Sequence, residues 1–321
     1  MTAAVRGGPG VREVVVLDGS PSLGSLYVRA GLGAVPHPGR RPSAPGPLPE
    51  VEHRCAGIRP DPDRLTAYQH VVGEPAADAL PAGYVHVLAF PVAISLLTRP
   101  GFPLPALGIV HLANRVEQLA PLGVGDTLDV RAWTRDLRPH RRGAQVELVT
   151  EVWRAGTAEH EGPAWRGVSS YLAPGVRLPG GAGPGGGADG GADGGADGRA
   201  ARRDFVPPTP TGRWALGADA GRRYAAVSGD ANPIHLSALT AKALGFPRAI
   251  AHGMHTAARA LADVGARRGD RFTWDVEFSA PVLLPSTPAV QVRAEGAGWT
   301  VTAWDSRARK RHLVSEVRPL A

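Results

Sequence analysis

Cysteine is nearly missing from this chain of 321 residues. Cys55 is the one thiol, so no internal disulfide can form and no cysteine-based zinc cluster can be built. Lysine is almost as scarce: Lys242 and Lys310 are the two among 36 basic residues, and the net charge of +7 rests almost wholly on arginine. Those arginines fall in small scattered groups, such as Arg138/Arg141/Arg142 and Arg267/Arg268/Arg271, without aromatics between them. A solvated surface is the plain reading, with a few arginines free to meet an anionic ligand, and no nucleic-acid partner is expected. No apolar run approaches the ~20 residues that would cross a bilayer, and the first eight residues lack the apolar stretch of a secretory leader. Membrane insertion is not expected, and a reducing cytoplasm is the simplest compartment.

What is abundant is glycine and proline, 42 and 31 residues, about twice the ~12% of average usage. Much of it sits in two places. Residues 33–49 form a Pro/Gly-rich loop, and residues 178–203 carry three successive Gly-Gly-Ala-Asp units with no side chain able to build a core. The second stretch reads as a flexible linker. It divides the chain into an N-terminal extension at 1–59, a first unit at 60–177, the linker at 178–203 and a second unit at 204–321.

The two units echo one another. Tyr68 with Gly73-Glu74 is answered by Tyr224 with Gly229-Asp230, and Val116-Glu117 with Ala120-Pro121 by Val276-Glu277 with Ala280-Pro281. Each unit has apolar residues at helical spacing, Phe90/Ala93/Ile94/Leu97 and Met254/Ala257/Ala258/Leu261, followed by alternating, strand-like stretches. The pattern predicts an α+β unit present twice.

Chemistry concentrates between residues 224 and 259. Asp230-Ala231-Asn232-Pro233 is turn chemistry, and it presents a carboxylate and, five residues on, the His235 imidazole from one tight loop. Two titratable groups in fixed geometry are what general acid–base work needs. Gly253 then opens the apolar helix, where free backbone N–H groups can hold a developing oxyanion.

The segment Ser228-Gly229-Asp230-x-Asn232-Pro233-Ile234-His235, followed by Ile250-Ala251-His252-Gly253-Met254, resembles the hydratase-2 motif of the MaoC-like dehydratases. The duplicated layout resembles the double hot dog members of that family, the actinobacterial 3-hydroxyacyl-thioester dehydratases among them. The resemblance implies two tandem hot dog units, each an antiparallel sheet wrapping a long helix. It implies reversible hydration of trans-2-enoyl thioesters to (R)-3-hydroxyacyl thioesters in fatty-acid metabolism. The thiol handle would be coenzyme A or an acyl-carrier protein, with no other cofactor and no metal. The catalytic pair falls on Asp230 and His235 and the oxyanion-hole glycine on Gly253. Asn232 would support the loop, Phe278 would edge the acyl site and His252 would touch substrate. A homodimer is compatible with all of this.

The first unit departs from the motif. Superposing the helices by apolar pattern sets Leu88-Ala89 against His252-Gly253, and five residues after Glu74 stands Ala79 rather than a histidine. The expectation is a unit that keeps the architecture and lacks the pair. Its helix side chains Phe90, Val92, Ile94, Leu96 and Leu97 would then wall a long acyl chain, and Glu74 reads as a surface or cap residue. Two other readings stay open. A hot dog acyl-thioesterase is opposed by the Asp-x-Asn-Pro-Ile-His spacing, and a non-catalytic acyl-thioester-binding subunit by the intact pair. His252 and His255 with Asp230 imitate a metal site, but they lack the spaced acidic ligand that usually accompanies helical zinc histidines.

Overall fold

Alternation builds the strands. In β5 (Leu128–His140), Leu128, Val130 and Ala132 are buried while Asp129 and Arg131 reach toward solvent. A computed structural model describes residues 3–5, 12–33, 45–106, 108–179 and 205–321; the Gly-Gly-Ala-Asp repeats and most of the loop at 33–49 lie outside these. The other strands are β1 (Ala3–Val5), β2 (Glu13–Val16), β3 (Val51–Ile58), β4 (Val110–Gln118), β6 (Gly143–Arg154) and β7 (Trp165–Pro174), then β8 (Gly212–Arg213), β9 (Phe272–Phe278), β10 (Ala289–Glu295), β11 (Gly298–Asp305) and β12 (Lys310–Pro319). Among the described residues they form one sheet in the order β1-β2-β3-β5-β6-β7-β4-β9-β12-β11-β10-β8. Among the described residues only the β2–β3 pair is parallel.

Read outward from the middle, β4-β7-β6-β5-β3 on one side matches β9-β12-β11-β10-β8 on the other. The halves join at the antiparallel pair β4–β9, where Arg115 lies opposite Asp275. This is the expected double hot dog. Its first unit begins earlier than residue 60, because β3, assigned from the sequence to the N-terminal extension, pairs with β5, and β2 adds outside it.

Each half wraps one central helix. In the first unit this is α3 (Ala82–Leu97), which packs against β3, β5, β6 and β7. Every residue of α3 except Phe90 is buried, so the helix is apolar all round and tolerates Pro91 inside it. Val92, Ile94, Leu96 and Leu97, expected to wall an acyl chain, are taken up by the core. In the second unit the central helix is α7 (Gly253–Val264), packed on β9, β11 and β12.

Before each central helix lies a shorter one, α2 (Pro62–Val72) and α4 (Ala220–Ser228). Asp61 caps α2 by accepting from the N–H groups of Asp63 and Arg64, and Pro62 suits its first position. Both helices end on a glycine with φ of 77°, Gly73 and Gly229, a left-handed conformation that costs other residues about 1 kcal/mol or more. Glu74 and Asp230 therefore occupy corresponding positions.

The correspondence of the central helices differs from the one the apolar pattern suggested. Leu80 donates to the Leu122 carbonyl as Ala251 donates to that of Val282, and the bridge Ala79–Gly123 matches Ile250–Leu283. Pro81-Ala82, and not Leu88-Ala89, thus stand where His252-Gly253 stand. The apolar pattern misaligned them because α3 is apolar on every side, so any register fits. Between the glycine cap and the central helix the second unit has extra residues, which form α5 (Pro233–Leu236) and α6 (Ala238–Ala243). The first unit lacks the histidine-bearing loop altogether, so Ala79 is not the counterpart of His235.

Candidate functional site

The site is assembled where α4 ends, α5 turns and α7 begins. Asn232 sits at the N-cap of α5, its Oδ1 accepting from Ile234 N–H at 3.3 Å, and Pro233 follows at the first helical position. This one-turn helix carries His235 inward, where it is buried. The loop is pressed onto α4 so closely that a Cβ at Gly221 would collide with the His235 carbonyl.

His235 Nδ1 lies 2.8 Å from the Ile250 carbonyl oxygen. A carbonyl only accepts, so Nδ1 carries the proton and the neutral ring keeps its Nε2 lone pair for another partner. Burial pushes the imidazole below its ordinary range, and the Asp230 carboxylate and the Ile250 carbonyl oppose that shift. The ring is therefore held as a neutral base.

Asp230 is fixed by its surroundings. Its backbone N–H donates to Ser228 Oγ at 3.1 Å, and its Oδ1 accepts from Asn232 N–H at 3.2 Å. The carboxylate, His235 and His252 offer ligand-type atoms within 4.8 Å of one another.

His252, expected to touch substrate, is 2% exposed and has another task. Its Nε2 donates to the Asp230 carbonyl at 2.9 Å, and its ring stacks on His235 with centroids 3.7 Å apart. Burial, and then the His235 ring beside it, push its imidazole well below the ordinary range. Both nitrogens that donate to carbonyls, Nδ1 of His235 and Nε2 of His252, are closed to metal ligation. His255 turns away and meets the Val71 carbonyl at 3.3 Å.

Gly253 is the first residue of α7, whose N-cap His252 offers no side-chain hydrogen bond. The orphan N–H groups of this helix end, and the positive end of its dipole, lie beside the Asp230 turn. A Cβ at Gly253 would stand 3.3 Å from the Phe278 ring, tighter than ordinary contact. Phe278 lies 5.0 Å from the His111 ring of β4, which stacks on Tyr171 of β7 at 4.6 Å. Asp230, His235, Asn232, Gly253 and Phe278 are thus brought to one place.

Three participants escaped the sequence reading. His111 and Tyr171 come from the first unit, and their side of the strand shows only once β4 meets β9. The third is Tyr27 of α1 (Leu23–Gly33), whose hydroxyl donates to Asp230 Oδ1 at 2.7 Å. The spacing Leu23, Leu26, Tyr27 was the available signal, since it puts all three on one helix face.

Glu74, read from sequence as a surface or cap residue, is buried and pairs with Arg268 at 3.0 Å. A separate cleft of ≈ 220 Å³ lies on the outer face of the central strands, with Arg115, Arg135, Glu147 and Asp275 among its lining residues. Its charged lining does not suit an apolar chain. Among the described residues no helix is long and apolar enough to cross a membrane.

Comparison with known proteins gives consistent results. The sequence profile of the MaoC like domain matches residues 202–314. The chain is 35% identical over 301 residues to 3-hydroxyacyl-thioester dehydratase X of Mycobacterium tuberculosis, covering 94% of this chain and 99% of that protein. The crystal structure of HtdX from M. tuberculosis superposes with a TM-score of 0.70 at 33% identity, covering 84% of this chain and 100% of that chain. A MaoC-like dehydratase from Phytophthora capsici shares the fold, with a TM-score of 0.63 at 20% identity over 85% of this chain and 96% of that one.

Proposed function

Because this chain belongs to the MaoC-like dehydratase family, we propose that it is a hydro-lyase interconverting trans-2-enoyl and (R)-3-hydroxyacyl thioesters, with Asp230, His235 and Gly253 as its working residues. The acyl group arrives as a thioester of coenzyme A or of an acyl-carrier protein. No further cofactor takes part, because the thioester carbonyl itself makes the C2 proton acidic.

The observation that carries the reading is the allocation of protons around His235. With Nδ1–H spent on Ile250, Nε2 is left as an acceptor, and a ring nitrogen of His235 lies within 4.8 Å of an Asp230 carboxylate oxygen. A separation of that order is one that a bridging water can span, each arm a hydrogen bond of about 2.7–3.0 Å. In hydration the pair takes a proton from that water as its oxygen attacks C3. The electrons move to the thioester oxygen, the Gly253 N–H holds the resulting enolate, and the pair returns a proton to C2. Dehydration is the same path reversed. Phe278 confines the substrate at the end of α7, and Asn232 keeps the loop closed.

The test is to add a series of trans-2-enoyl-CoA thioesters and follow the loss of conjugated absorbance, with free thiol measured in parallel. Loss of absorbance without thiol release is expected. Thiol release would instead indicate an acyl-thioesterase, and no turnover of any thioester would indicate a binding subunit.

A further inference from the structure

We propose that Tyr27, from the N-terminal helix α1, is a positioning residue for Asp230: its hydroxyl fixes one carboxylate oxygen so that the other faces the reacting water. The inference rests on the reading of Asp230 as a member of the reacting pair and adds to it a residue that lies far outside the motif.

Asp230 Oδ1 is fully engaged. It accepts from Tyr27 Oη at 2.7 Å and from Asn232 N–H at 3.2 Å. Oδ2 is the oxygen left over, and it lies 3.9 Å from His252 Nε2, on the side of the stacked histidines. A carboxylate held at one oxygen cannot rotate to exchange the two. Tyr27 is built into its place. Leu23 and Leu26, on the same face of α1, are buried in the core, and Leu23 Cδ1 lies 3.5 Å from where a Cβ on Gly229 would stand. The helix is thereby seated on the turn that carries Asp230. Burial, then the Asp230 carboxylate, push the Tyr27 phenol far above its ordinary range, so the hydroxyl keeps its proton and remains a donor.

Other groups face the same carboxylate. They are His235 of α5, His252 before α7, Tyr224 of α4 and Tyr171 of β7, while Arg64 of α2 lies beside the Gly229 turn. None but Tyr27 and Asn232 holds Oδ1 among the described hydrogen bonds. A donated hydrogen bond favours the carboxylate form. Losing it removes a contact that favours the charged over the neutral form, and the acid limb of activity is expected to move upward.

The experiment compares wild type, Tyr27→Phe, Asp230→Asn and the double variant as full chains, with trans-2-enoyl-CoA substrates between pH 4.5 and 8. The ring of Phe preserves the packing, and circular dichroism and melting check the fold. Tyr27→Phe is expected to lose about ten-fold in kcat, the scale of one hydrogen bond to a charged group. KM should change little, and the acid limb should shift upward. The double variant should be no slower than Asp230→Asn, because the two residues act as one unit. A folded Tyr27→Phe with wild-type kcat and acid limb, beside an inactive Asp230→Asn, overturns this proposal and leaves the functional reading standing. So does faster turnover by Tyr27→Phe, which would make the hydroxyl a competitor for the carboxylate. Full turnover by Asp230→Asn overturns both.

Discussion

Glu74 and Arg268 form an ion pair at 3.0 Å, with side chains 3% and 14% exposed, linking the first unit to the turn that follows the second unit's central helix. Glu74 holds the place in its unit that Asp230 holds in the other. The same backbone position thus carries a carboxylate bound to arginine in one half and a carboxylate beside two histidines in the other.

Removing Glu74 would leave Arg268 partly buried without its counter-ion, held by the Leu261 and Gly265 carbonyls at 3.3 and 3.4 Å and by the Phe272 ring at 5.9 Å. Glu74→Ala is expected to cost on the order of 3 kcal/mol of stability. Glu74→Gln, which can still accept from Arg268, should cost less. Both should keep wild-type kcat. Thermal melting and steady-state kinetics on the same preparations check this, and a Glu74→Gln variant as inactive as Asp230→Asn would refute it.

Asp230→Asn or His235→Ala should lower kcat by ~10²–10⁴ without unfolding the chain, and the two losses should not add. Turnover of the single and double variants, with circular dichroism as the fold check, decides it. Near-wild-type turnover in folded Asp230→Asn would remove the pair from the reaction.

At Gly253 the prediction is graded. A Cβ there stands 3.3 Å from Phe278, so Gly253→Ala should slow turnover moderately and Gly253→Val should nearly abolish it. If space is the cause, Phe278→Leu in the Gly253→Ala background should restore part of the lost kcat/KM. No recovery would shift the explanation from crowding to the geometry of the helix end.

Acid should weaken the protein. Burial pushes His53, His86 and His255 down to about 4, with the Arg99 charge a second cause at His53. The unfolded chain, with histidines titrating near 6.5, then binds more protons than the folded one. Stability is complete above about pH 6.5 and is lost as pH falls toward 4, by up to about 1.4 kcal/mol per histidine per pH unit. Melting temperatures across pH 7.5 to 5 should fall by several degrees. A flat profile would mean that these rings take up protons in the fold as readily as in the unfolded chain.

Much of this site was legible because its parts lie close together in the chain. Asp230, Asn232 and His235 share one turn, and Gly253 opens the next long helix. The doubled architecture was legible from Tyr68/Tyr224 and Val116/Val276, which echo at nearly constant spacing. What stayed hidden depends on long-range contact. Tyr27 meets Asp230 across 203 positions, and Arg268 meets Glu74 across 194. The Leu23/Leu26/Tyr27 spacing marks a helix face but not what it meets, and an arginine among many arginines carries no local mark of its partner. The helix register failed for another reason: α3 is buried on all sides, so its apolar residues lacked the one-sided period that would have fixed its start.

The β4–β9 junction has a bearing on how such a protein can change over time. A dimer made from two copies of one chain carries every substitution twice, once on each side of its axis. Here both halves belong to one polypeptide, and each substitution occurs once. A change in the Glu74 turn need not be tolerated by the Asp230 turn, nor the reverse. One half is free to lengthen its loop into α5 and α6 and place a histidine there, while the other keeps a short connection and an arginine-bound glutamate.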